Sequence, residues 1–198
     1  MSSLARIPAL PPATPQDRVL DAALIVFCRY GFRRTTMALV AEQAGLSRPA
    51  VYLRYANKQA LFQAAAEALV ARSLDAAAAA WRDDASLADN LAETILAKDL
   101  EIFRLLKTTP HGKDLMAIDA GVVTDAAARL QAGFSAVLVQ RAGQLEKSGQ
   151  LDLAPYGGAN AFARLVQALA AGLKHEFSIE ADYEEAVRAL ARLIARAT

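Results

Sequence analysis

Cysteine, histidine and long uncharged apolar runs are all scarce in this chain. Cys28 is its one cysteine, which excludes an internal disulfide framework and a thiolate metal cage and fits the cytosol. Its apolar setting in "LIVFC" reads as packing rather than a reactive thiol. The two histidines, His111 and His175, fall on separate segments. No metal-spacing cluster, P-loop, dinucleotide fingerprint or nucleophile elbow occurs, so the sequence offers no catalytic site, no metal site and no cofactor. The pairs Asp83/Asp84 and Glu184/Glu185 read as solvated faces rather than acid/base dyads. No uncharged apolar stretch approaches the roughly 20 residues that a membrane span needs. The opening "MSSLARIPALPPATP" lacks the cationic and apolar segments of a secretory signal and reads as a flexible arm over 1–15.

What is present is alanine, helical periodicity and an uneven charge. Apolar residues make up 55% of the 198, ample for a packed core, and no sustained strand-type alternation appears. Formal charge is +1 overall, but residues 1–58 carry eight Lys/Arg against three Asp/Glu, while the remainder carries fourteen against eighteen. A basic first quarter on an acidic remainder is the asymmetry of a segment that meets a polyanion.

That first quarter has its own punctuation. Val19, Leu20, Ala23, Val26, Phe27 and Tyr30 recur at three- and four-residue spacing, and Gly31 ends this first helix. Thr36 is an N-cap for a second helix whose inward face is Met37, Val40, Ala41 and Ala44, and Gly45 ends it. Ser47 caps a third, with Pro49 tolerated in its first turn. Two short helices across a tight glycine turn form a helix-turn-helix, whose second helix enters the DNA major groove. Within "GLSRPAVYLRYANK" no acid accompanies Arg48, Arg54 and Lys58. Ala50, Val51 and Tyr55 face inward, leaving Arg48, Pro49, Tyr52, Leu53 and Arg54 on the open side. Pro49 and Ala50 offer apolar surface for a thymine methyl, and Arg48 suits either a guanine or a phosphate.

The stretch "RVLDAALIVFCRYGFRRTTMALVAEQAGLSRPAVYLRYANKQALF" resembles the DNA-binding domain of the tetracycline-repressor (TetR/AcrR) family of transcriptional regulators. The "AA…F…GF" helix, the "TT" cap, "A-x-x-A-G-L-S", Tyr52 and "NK-x-A-L-F" fall in order. The resemblance implies phosphate contacts from Thr35 and Thr36. It implies groove contacts from Ser47, Arg48, Pro49, Tyr52 and Leu53, and phosphate neutralisation by Arg54 and Lys58. Ala56 replaces a frequent proline, and Leu53 with Arg54 replaces a more usual aromatic or histidine pair.

The expected architecture is all-α. A three-helix DNA-binding head spans 16–62, and a helical ligand-binding and dimerisation body spans 63–198. A long helix starts at Lys58 and runs to Trp81, a second follows Ser86, and "TTPHG" breaks the chain before a helix from Thr124. Two final helices carry apolar repeats, Phe162, Leu165, Val166, Leu169 and Leu173, then Tyr183, Ala186, Val187, Leu190, Leu193 and Ile194. The resemblance implies that these helices also pair with a second copy, placing Phe162, Leu165, Val166, Leu169, Leu173, Val187, Leu190 and Ile194 at a homodimer interface. It implies an effector pocket within the body, built from Trp81, Phe103, Leu106, Met116, Phe134 and Leu138 with Lys107 and His111 as polar handles. The whole reads as a cytoplasmic, homodimeric regulator. It binds a palindromic double-stranded operator, is relieved by a small, mostly apolar effector, and has no membrane partner. The alternative is a helical interaction or scaffolding module that does not read DNA.

Overall fold

A computed structural model describes residues 15–115 and 120–197. The arm, apart from Pro15, and Met116 of the expected effector pocket lie outside the described residues. Among those described there are helices and turns and no strand. The helices are α1 (Pro15–Arg34), α2 (Met37–Ala44), α3 (Arg48–Tyr52), α4 (Lys58–Ala80) and α5 (Leu87–Lys107). They continue as α6 (Gly112–Leu115), α7 (Ala120–Lys147), α8 (Ala159–Glu176) and α9 (Glu180–Ala197), with a 3-10 turn at Ala154–Tyr156. The chain divides into two compact units. Residues 1–70 with 101–126 form the first, and residues 71–100 with 127–198 form the second.

Local chemistry accounts for the boundaries of the first unit. Gly31, at φ 74° and ψ 161°, is non-helical, so the first helix breaks there as expected, and a short helical turn follows it to Arg34. Thr36 Oγ1 accepts from Leu39 N at 3.2 Å, and Gly45 closes α2 in the left-handed conformation at φ 65°. Ser47 Oγ accepts from Ala50 N at 3.3 Å and opens α3. That helix is five residues long, because Leu53 already caps it and the chain turns toward Asn57, whose Oδ1 accepts from Ala60 N at 2.8 Å to start α4. The core is built on Val19, Ala23, Phe27, Val40, Val51 and Leu61, all fully buried. Phe27 stacks on Phe32 with centroids 5.6 Å apart, and the Phe62 ring meets both edge-on. Leu105 and Leu115 complete this same core from much further along the chain. The segment between them is docked by His111, whose backbone N–H donates to Cys28 O at 3.0 Å. Burial pushes the Cys28 thiol up to about 11, with a bond to Thr109 opposing, so it is an inert packing group.

The second unit closes on Phe134, Leu138, Leu153, Phe162, Val166, Tyr183 and Val187, none more than 2% exposed. The turn from α4 to α5 is clamped by Asn90. Its Oδ1 accepts from Arg82 N and its Nδ2 donates to Arg82 O, both at 2.8 Å. Ser86 caps α5, accepting from Asp89 N at 3.1 Å. α7 starts at Ala120, four residues before the expected Thr124. Gly121–Lys147 of α7 is long and apolar enough to cross a membrane by length and composition alone, with 17% of its most apolar window buried. Arg129 and Arg141 bracket its longest uncharged run, and Phe134, Leu138 and Ala142 face the core at four-residue steps.

Candidate nucleic-acid interface

Two basic residues of the first quarter, Arg48 and Lys58, meet on one face of the first unit. The N-terminus of α2, the α3 helix and the N-terminus of α4 surround a groove of about 460 Å³ lined by Thr35, Thr36, Met37, Ala38, Arg48, Tyr52, Ala56, Asn57 and Lys58. The first turn of α2 contains no acid, so the positive end of its dipole and its free N–H groups open toward this groove. Thr36, Ser47, Arg48, Pro49, Tyr52, Leu53 and Arg54 are all exposed, Leu53 at 86% and Tyr52 at 42%. Exposed apolar surface on Leu53 is unexplained by packing, since Val51 and Tyr55 hold the inward side of the helix. The Arg48 guanidinium lies 5.4 Å from the Tyr52 ring centroid, one turn away. Each side chain thereby restricts the other on the open face. Arg54 Nη1 donates to Ala50 O at 2.9 Å, which holds its charge against its own helix.

Two residues implied as phosphate contacts are committed elsewhere. Thr35 is 2% exposed, and its hydroxyl donates to Gly31 O at 2.8 Å. Its backbone N–H also donates to Gly31 O, at 3.2 Å, so neither donor of this residue is left for a phosphate. Lys58 has three N–H donors, and its Nζ lies within bonding distance of three carbonyls, Phe32 O at 2.6 Å, Thr35 O at 3.0 Å and Arg33 O at 3.2 Å. It also sits 4.5 Å from the Phe32 ring centroid. Lys58 therefore ties the end of α1 to the start of α4 and satisfies carbonyls that a kinked helix end leaves open. Lys58→Met is expected to lower stability by about 1.5–3 kcal/mol, the range for hydrogen bonds to a charged group. The salt dependence of DNA binding should stay as it is. Unchanged melting together with a salt slope lower by about one counterion would restore the phosphate role.

The residues expected to line an effector pocket are distributed over both units. Phe103, 1% exposed, Leu106, Lys107 and His111 belong to the first, with Lys107 Nζ 5.9 Å from the Phe103 ring centroid. Trp81, Phe134 and Leu138 belong to the second. Phe134 and Leu138 are core, whereas Trp81 borders an open groove of about 550 Å³ with Asn90, Arg141 and Gln144.

The expected dimer residues also divide. Phe162, Val166, Val187 and Ile194 are buried by their own chain, so they support α8 and α9 from beneath. Leu165 at 44% and Leu169 at 40% stand outward, with Leu173 and Leu190 half-buried; Leu193, outside the expected set, is 67% exposed on the same pair of helices.

Sequence reasoning missed a buried charge cluster in the second unit. Asp99, fully buried, accepts from Lys174 Nζ at 2.5 Å and Tyr183 Oη at 2.8 Å, and pairs with Lys98 Nζ at 3.1 Å. Burial works against the charged carboxylate, but the two ammonium groups and the hydrogen bonds outweigh it and hold Asp99 below the usual carboxylate range. Burial and the Asp99 charge push the Tyr183 hydroxyl well above its usual range. The available signal was an aspartate at position 99 on the face that Leu91 and Ile95 bury.

The comparisons with known proteins agree with this geometry. A model described as bacterial regulatory proteins, tetR family, matches residues 19–65. The HTH-type transcriptional regulator YfiR of Bacillus subtilis is 37% identical over 84 residues, covering 39% of this chain and 41% of that one. The chain spans less than half the length of the curated relatives it matches. A TetR-family transcriptional regulator from Rhodococcus sp. superposes with a TM-score of 0.66 at 20% identity, over 91% of this chain and 98% of that chain. The SmeT–triclosan complex gives 0.64 at 22% identity over 92% and 90%. These two show a shared fold. Residues 19–65 are thus similar to the tetR family of bacterial regulatory proteins, and the helical fold of the whole chain is shared with the solved structures.

Proposed function

We propose that this protein is a DNA-binding transcriptional regulator, a cytoplasmic repressor that acts as a homodimer on a palindromic operator. The observation that carries this reading is the outward set Arg48, Tyr52 and Leu53 on a capped helix beside the acid-free N-terminus of α2. A packing helix has no use for an 86% exposed leucine next to a guanidinium stacked on a tyrosine. A major groove has use for all three, through thymine methyls, guanine edges and phosphates. Release by a small, mostly apolar effector completes the reading. A protein of the same fold has been solved with triclosan, an observation made on that protein, which supports a lipophilic ligand for this fold.

The test is a gel shift on the promoter DNA beside the protein's own gene. Arg48→Ala and Tyr52→Ala should each weaken the shift while helical content stays unchanged. Loss of one bidentate base contact is worth about 1–3 kcal/mol, or roughly 5- to 150-fold. A footprint should show two half-sites about one helical turn or slightly more apart. Undiminished binding by both variants would remove α3 from the interface.

A further inference from the structure

The second unit buries unequal charge. Two ammonium groups, Lys98 and Lys174, share one carboxylate, Asp99. The Lys174 side chain is 30% exposed and can be offset by solvent, whereas that of Lys98 is 11% exposed. Beyond Asp99, Lys98 has the face of Phe134, with Nζ 4.3 Å from the ring centroid. A ring face attracts a cation but supplies no counter-charge. Burial accordingly lowers the Lys98 ammonium from its usual range, even with Asp99 opposing.

An unpartnered hydroxyl accompanies this charge. Thr94 lies one turn before Lys98 on α5, so the two share a helix face. Thr94 is fully buried, and its Oγ1 has no hydrogen-bond partner among the described residues. Buried hydroxyl donors are rarely left open in a packed interior.

We propose that Lys98 and Thr94 form an anion site for the carboxylate of an amphiphilic effector. This rests on the effector reading above and narrows its ligand from an apolar molecule to one with an acidic end. A carboxylate only accepts hydrogen bonds and carries one negative charge, which matches one under-neutralised ammonium and a hydroxyl one turn away. A phosphate would bring nearly twice that charge to a surplus of one. Leu91, Ile95, Phe134 and Leu138, all buried in this unit, suit the apolar body.

Decanoate and 1-decanol, matched in chain length, separate the possibilities by calorimetric titration of the full chain. Decanoate should bind about tenfold or more tightly than decanol, because its hydrogen bonds are charge-assisted. Lys98→Met should abolish that preference, and Thr94→Val should reduce it several-fold. Lys98→Met removes the surplus cation and leaves Asp99 with Lys174 and Tyr183, so the fold is kept. If it is not, Thr94→Val carries the test, since it replaces an unpartnered hydroxyl with a methyl of the same shape. Equal binding of the two probes, binding of neither, or a preference that survives the variants overturns the anion site. Equal binding with release of the operator leaves the effector reading standing. Decanoate preference lost on substitution, but without operator release, upholds the anion site and ends the effector reading.

Discussion

Asp99→Ala is expected to lower the melting temperature by about 6–20 °C, the largest effect of any single substitution considered. Asp99 pairs with Lys98 and Lys174, accepts from the Tyr183 hydroxyl, and is fully buried. Removing one member of a buried ion pair costs about 3–5 kcal/mol, because the remaining charge keeps its desolvation penalty without its partner. At about 2–4 °C per kcal/mol for a chain of this size, the stated interval follows. Adding Lys98→Met should recover part of the loss, since one orphaned ammonium goes with it, and the two substitutions should therefore be non-additive. The same group fixes the sign of the acid response. Its folded-state pKa is depressed, so its contribution is complete above the unfolded value of about 3.9 and is lost as pH falls through the lower folded value. Asp99→Ala should flatten the stability profile in that acid window. A melting temperature within about 2 °C of the parent would show that the cluster is neither dry nor coupled.

Leu169→Glu combined with Leu193→Glu is expected to give a folded monomer whose operator affinity falls by about 10²–10⁴-fold. Both side chains are outward in the protomer, 40% and 67% exposed, so charging them leaves the protomer's own core untouched. In the proposed homodimer they are covered by a second copy, and four buried, unpaired carboxylates cannot be accommodated. Two linked heads gain affinity by making the second half-site contact intramolecular, a gain that vanishes with the linkage. Sedimentation together with the gel shift reads both parts of the result. A dimer that persists with full affinity places the contact on another face.

The head was legible where its determinants are local. Thr36, Gly45 and Ser47 act on residues within three or four positions, and each cap is found where its spacing requires. Lys58 and Thr35 were misread because what they touch is not local. The Lys58 partners lie 23 to 26 residues away, so a basic residue at a helix start looked available for phosphate. The same limit hid the buried cluster, where Asp99 reaches its partners across 75 and 84 residues. On α8 the difficulty was angular. Apolar residues occupy both the buried positions Phe162 and Val166 and the outward positions Leu165 and Leu169, and a stripe that wide does not declare which edge faces its own core.

The return of the chain to α1 bears on how such regulators are cut and recombined. Leu105 and Leu115 share one core with Val19, Phe27 and Phe62, and His111 N is bonded to Cys28 O. A fragment ending soon after Phe62 would carry every side chain of the candidate DNA surface and lack part of the interior that keeps that surface in shape. The head is thus not a cassette in the linear sense. Its reading surface is encoded in one stretch and its keystone in another, and a chimaera that exchanges heads at a single splice point would pair a foreign keystone with a native arch.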